Sequence, residues 1–142
     1  MKSIVIALVA ALAVSATACK KDGSKSDKAE HAGTKLTMAS VDQVDQGIAA
    51  NQCTAVDATN ASTREKMGIV PGAIVLTSYD SYNLSELPAD KSRKLIFYCA
   101  NTQCGASHTA AERALTAGYQ NVEVMGEGIA GWVNAGKKVD KI

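Results

Sequence analysis

Two cysteines five positions apart, Cys99 and Cys104, stand in "LIFYCANTQCGASHTAAERAL" (residues 95–115) between an apolar run and an Ala-rich stretch. A thiolate is a nucleophile and a soft metal ligand, and two neighbouring thiols can close a disulfide. Asn101, Thr102 and Gln103 between them are polar, which opposes full burial and favours a reactive Cys99 over one that merely packs. Cys104 can reach Cys99 if their Cα atoms approach within roughly 7 Å, which makes it a candidate resolving cysteine; packing beneath the loop explains it equally well. Cys99, Cys104 and His108 also form part of a metal-ligand set. A structural zinc takes four protein ligands, a fourth is not evident, and His31 lies far upstream, so no metal is expected.

The elements around the pair would position it. "KLIFYC" (94–99) is a continuous apolar run suited to a strand buried on both faces, and it ends at Cys99. A helix from Ser107 to Ala117, stopped by Gly118, follows. In open parallel sheets, sites form beyond the carboxyl ends of strands. The strand therefore delivers the Cys99 sulfur to that edge, facing a helix N-terminus with about half a positive charge. An ordinary thiol, with pKa near 8.5, is only about 3% ionised at neutral pH, and such a field raises that fraction.

Upstream, Ser40 is a plausible cap for a helix carrying Val41, Val44 and Ile48. "CTAVDA" (53–58) reads as a buried strand, "STREKMG" (62–68) as a short helix, and "AIVL" (73–76) as a strand after the Val70-Pro71-Gly72 turn. Residues 77–93 read as loop with one helical turn near Leu84–Leu87. "NVEVM" (121–125) is a strand, and "IAGWVNAG" a last helix closed by Gly136. Alternating strands and helices predict an α/β fold, a parallel central sheet flanked by helices. Cys53 begins its strand about four residues from the level of Cys99, so a bridge between them is disfavoured and core packing suffices. Asp57, at the far end of that strand, falls near Cys99; it either bonds loop amides and shapes the site or bonds only its own next turn.

The start of the chain reads as an address. Lys2, an apolar run from Ile4 to Val14 and "SATAC" (15–19) have the plan of a secretory signal, too short for a comfortable span of roughly 20 residues. Its end resembles a bacterial lipobox, with Ala16 where leucine is commoner. The resemblance implies removal of residues 1–18, lipidation of Cys19, and a lipid-anchored protein of the cell envelope. Lys20 after that cysteine favours the outer membrane, facing the periplasm. Residues 19–35 lack large apolar side chains and read as a flexible tether, leaving 36–142 as one domain. That domain carries nine Lys/Arg against eleven Asp/Glu, a formal charge of −2, while the tether carries +2. Without a basic stripe interleaved with aromatics, nucleic acid is excluded as a partner. Export permits disulfides, and three cysteines in the domain leave at least one unpaired within it.

From "AVDATNASTREKMGIVPGAIVL" onward the domain resembles a rhodanese-like domain over about residues 36–140. Asp57 matches the aspartate ending a strand, Pro71-Gly72-Ala73 the turn opening the next, and Cys99 the active cysteine. Ala117-Gly118-Tyr119, Val122–Met125, Gly128-Ile129 and Trp132 follow in the family's order. The resemblance implies a sulfurtransferase. Cys99 would accept a sulfane sulfur as a persulfide, cradled by the loop Ala100, Asn101, Thr102, Gln103, Cys104 and Gly105. A small donor and a thiol acceptor would be its partners, with no organic cofactor. Departures qualify this. Thr59 and Asn60 stand where an arginine is common, Ile69 and Val70 replace a usual histidine, and the loop lacks the arginine familiar from thiosulfate-using members. Gly105 occupies the position where related phosphatases carry an essential arginine, which argues against phosphate-ester chemistry. Two alternatives stay open: a thiol–disulfide switch built on Cys99 and Cys104, and a catalytically silent binding module.

Overall fold

The computed structural model describes residues 36–142; the leader, Cys19 and the tether lie outside the described residues. In chain order the elements are β1 (Thr37–Met38), α1 (Val41–Ala49), β2 (Thr54–Asp57), α2 (Ala61–Met67), β3 (Ile74–Val75), a 3₁₀ turn (Leu84–Glu86), β4 (Leu95–Tyr98), α3 (Ala106–Thr116), β5 (Val122–Met125) and α4 (Gly128–Asn134). The strands form one five-stranded sheet in the order β1-β5-β4-β2-β3. Every pairing between them is parallel. The expected α/β architecture is present. No helix among the described residues is long and apolar enough to cross a membrane.

β4 is central and all four of its residues are buried. Its side chains alternate between the faces as a strand requires. Leu95 and Phe97 join Ala110, Ala111 and Ala114 of α3, together with Tyr82 and Leu87. Ile96 and Tyr98 join Val41 and Val44 of α1, Ile129 and Trp132 of α4, and Cys53. Each large side chain so buried contributes about 1.5–3 kcal/mol as an upper estimate. The unbroken apolar run is the direct consequence of having helices on both sides. Alanines dominate the inner face of α3, which lets the helix lie close to the sheet.

Three local readings differ from the sequence expectation. β1 was not anticipated: two residues cannot show a period, and it exists by pairing Thr37 with Glu123 and Met38 with Val124 of β5. α2 starts one residue early, because Asn60 caps it by accepting from the Thr63 N–H at 2.9 Å. α3 likewise starts at Ala106, with Gly105 as N-cap and no side-chain capping bond. Ser40 caps α1 as expected, in a reciprocal arrangement with Gln43.

Candidate active site

The parallel register sets which residues share the carboxyl edge of the sheet. Asp57 pairs with Tyr98, and Tyr98 with Met125, so the next residue along β4, Cys99, emerges at the edge itself. Cys99 is buried at 2% exposure, whereas Cys104 is half-buried. A disulfide joins them, with their Cα atoms 6.1 Å apart. The loop's own polar residues produce that proximity. Asn101 accepts the Gln103 N–H on its side chain at 3.0 Å and the Cys104 N–H on its carbonyl at 3.1 Å. This Asx-type turn folds the loop back on itself and sets Cys104 beside the strand end.

The base of the loop is held by α4. The N–H groups of Ile129 and Ala130 donate to the carbonyls of Cys99 and Ala100 at 2.9 and 3.0 Å. Gly128 makes this approach possible. A Cβ there would lie 2.5 Å from the Cys99 oxygen and 2.7 Å from the Asn101 nitrogen, and its φ of +63° favours glycine independently. Above the loop, α3 begins without a capping side chain. Among the described residues, the N–H groups of Ala100, Thr102, Gly105 and Ala106 have no acceptor. Those of Gly105 and Ala106 stand at the N-terminus of α3, where the helix dipole favours an anion.

Cys99, Ala100, Cys104 and Ala106 form one wall of a cavity of about 320 Å³. Its other wall comes from the segment after β2 (Ala58, Thr59, Asn60, with Thr63) and the segment after β3 (Thr77, Ser78, Tyr79). The lining is hydroxyl-rich and carries no charged side chain. Sequence reasoning missed this second wall. Applying the carboxyl-edge rule to β2 and β3 as well as β4 would have found it.

Each arginine of the domain is engaged elsewhere. Arg64 lies 3.4 Å from Asp57 and donates to the Leu76 carbonyl at 3.0 Å; Arg93 donates to Thr54 and Asn51; Arg113 donates to the Tyr82 carbonyl. An anionic donor at Cys99 would meet backbone N–H groups rather than a guanidinium, as the sequence implied.

Asp57 is completely buried, and its partners lie in its own next turn, in β4 and in α2. It accepts from the Thr59 N–H and hydroxyl, both at 2.6 Å, and from the Tyr98 hydroxyl at 2.9 Å. Among the described residues it bonds no amide of the 100–105 loop. A strand-end carboxylate is nearest its own following turn, and that turn claims it. Its effect on the site passes through Thr59, which lines the cavity. The Tyr98 hydroxyl also accepts from the Val70 N–H at 3.1 Å; burial, then the Asp57 charge, push its pKa up.

His108 lines a different cavity with Thr102, Gln43 and Glu127, apart from the one that the two cysteines line. Cys53 is unpaired and buried at the opposite edge. Among the described residues no three His, Cys, Asp or Glu side chains gather into a metal-binding group.

A family model described as "Rhodanese-like domain" matches residues 40–135. No curated protein matches the chain. Solved structures do. A Bacillus halodurans protein superposes with a TM-score of 0.65 at 19% identity, covering 74% of this chain and 77% of that one. The rhodanese-like domain of an Anabaena protein gives a TM-score of 0.61 at 20% identity, covering 74% and 79%. Thiosulfate sulfurtransferase from Pseudomonas aeruginosa gives 0.61 at 20% identity, over 75% of this chain and 20% of that enzyme. At such identities the structural likeness concerns the fold alone.

Proposed function

We propose, from the premise that the chain belongs to the rhodanese-like domain family, that reduced Cys99 accepts a sulfane sulfur and passes it to a thiol. The Cys99 thiolate attacks the donor's outer sulfur, the donor's remainder leaves with the bonding pair, and the sulfur stays on Cys99 as a persulfide. A thiol acceptor then takes that sulfur and returns the thiolate. This is nucleophilic covalent catalysis, with loop and helix N–H groups stabilising anionic sulfur. The carrying observation is the cysteine's setting: a strand-end residue on a cavity wall that also includes Ala106, the first residue of α3, whose N-terminus favours an anion. The uncharged lining favours donors of low charge over dianions.

A second reading has its own support. The Cys99–Cys104 bridge is the oxidised half of a thiol–disulfide switch. The lipobox-like sequence supports a location in the envelope, tethered through Cys19, probed by radiolabelled fatty-acid incorporation that Cys19→Ala should abolish.

The test of the enzymatic reading is intact mass. Reduced Cys104→Ser protein treated with a thiosulfonate anion should gain one reducible sulfur atom, and protein carrying Cys99→Ser should gain none. Uptake that persists in Cys99→Ser refutes the assignment.

A further inference from the structure

The bridge has a consequence for what the site releases. We propose that Cys104 resolves the Cys99 persulfide internally, so that the domain reduces sulfane sulfur to hydrosulfide and ends each cycle as the Cys99–Cys104 disulfide. This inference rests on the reading that Cys99 accepts sulfur.

The Asn101 turn holds the two Cα atoms 6.1 Å apart and brings the Cys104 sulfur to the inner sulfur of Cys99. Attack by the Cys104 thiolate there forms the bridge and breaks the persulfide bond. The outer sulfur leaves with the electron pair and takes up one proton as hydrosulfide. Two cysteine thiols are oxidised and one sulfane sulfur is reduced, so atoms and electrons balance without an outside oxidant.

Competition favours this step. Cys99 is 2% exposed, which restricts a large acceptor thiol, while Cys104 is already in place. A group tethered by a loop this short acts at an effective concentration of at least about the millimolar range, and oriented groups far exceed it. The cavity of about 320 Å³ admits a small donor and lets hydrosulfide out.

The same exposures give the bridge a direction of reduction. Of its two sulfurs, Cys104 belongs to the half-buried residue and Cys99 to the buried one. An incoming thiol attacks Cys104, and Cys99 leaves as the thiolate on the cavity wall it shares with the start of α3. A second thiol then frees Cys104. The cycle consumes two thiols, or one dithiol, per sulfur, and a dithiol-oxidising reaction must be coupled to it.

The experiment is a single turnover of the full chain, reduced, freed of reductant and mixed with one equivalent of benzenethiosulfonate, whose other product is a sulfinate rather than a thiol. Wild type should release one equivalent of hydrosulfide and finish two hydrogens lighter than its reduced form, the bridge mapping to Cys99 and Cys104. Cys104→Ser and Cys104→Ala should each keep the extra sulfur on Cys99 and release hydrosulfide only when an external thiol is added. A stable persulfide on wild type, or equal hydrosulfide from the Cys104 variants, overturns internal resolution while leaving sulfur acceptance standing. Absence of sulfur uptake in all three proteins overturns both.

Discussion

Two buried cysteines on neighbouring strands meet opposite fates. Cys53 precedes β2 at the amino edge of the sheet, and Cys99 follows β4 at the carboxyl edge. Both are at least 95% buried, so burial does not separate them. Their neighbours do. Cys53 packs against α1, where its sulfur approaches the Val44 carbonyl at 3.9 Å, and burial raises its pKa. The cavity beside it, about 270 Å³, has Lys94 and Glu123 on its wall, already paired with each other at 2.8 Å. Cys99 instead lies on a cavity wall with Ala106, the first residue of α3, and with a second sulfur in reach. A parallel sheet makes its two edges chemically unlike, and a cysteine's reactivity follows from the edge that holds it.

The largest expected effect breaks the comparison outright. Cys99→Ser should abolish sulfur uptake, whereas Cys53→Ser should leave the uptake per folded molecule unchanged and lower only stability. Hydrosulfide release and intact mass after donor treatment, with urea titration alongside, separate the two. Loss of uptake in Cys53→Ser at full folding would mean that the amino edge takes part.

Glycines at the two edges sharpen it next. Gly128→Ala places a Cβ against the Cys99 and Ala100 backbone at a positive φ, and neither obstacle can rotate away. We expect a loss of about 1–3 kcal/mol, together with slower sulfur uptake, because the loop base must shift. Gly47→Ala meets only the Cys53 side chain, at 2.7 Å, in a helix where alanine is favoured over glycine by about 1 kcal/mol. Its net change should be smaller, with uptake unaffected. Equal losses of uptake in the two variants would sink the claim that Gly128 positions the loop.

How much of this was legible in the sequence depends on range. The continuous run Leu95–Tyr98, the Ala-rich face of α3 and the Ser40 cap are local patterns, and they carried the fold class and the order of elements. Cys99 at a strand end was legible for the same reason. β1 was not, since a two-residue strand exists only through its partner β5. The hydroxyl wall of Thr59, Thr77 and Ser78 was illegible because two loops, distant in sequence, meet only once the register of β2 and β3 is fixed. Asp57 could be placed at the right level, but the competition between its own turn and the cysteine loop is decided by distances the sequence does not hold.

Thiol reactivity offers a finer contrast. In protein reduced under native conditions, Cys53 should react with iodoacetamide at least about tenfold more slowly than Cys99 or Cys104 at neutral pH, since burial raises its pKa and, among the described residues, no helix N-terminus lies beside it to offset that, as α3 offers at the other edge. Peptide mapping of a timed alkylation reads all three. Comparable rates would show that the amino edge opens as readily as the site.

The smallest effect concerns acid and again separates the edges. Glu86 accepts from the Thr77 N–H at 2.9 Å and its hydroxyl at 2.8 Å, holding one wall residue of the Cys99 cavity. The Thr77 N–H bond, followed by the Asn83 N–H and the Thr77 hydroxyl, lowers the carboxyl's pKa below its ordinary 4.5 against a modest opposing desolvation. A depressed carboxylate contributes stability that is present above the unfolded-state pKa and is lost as pH falls through the folded-state value. Between neutral pH and about 5 the wall should therefore be insensitive to pH, and below the ordinary glutamate range it should loosen. Because Glu86 is only half-buried and its bonds to Thr77 lie at the surface, solvent screens the effect and global unfolding should move little. Amide exchange at Thr77, corrected for its intrinsic pH dependence, should lose protection on acidification, and Glu86→Gln should show reduced protection already at neutral pH. The amides around Cys53, which Glu86 does not touch, should follow the corrected baseline in both proteins. A matching change there would mean that acid acts on the whole sheet rather than on the edge that carries the site.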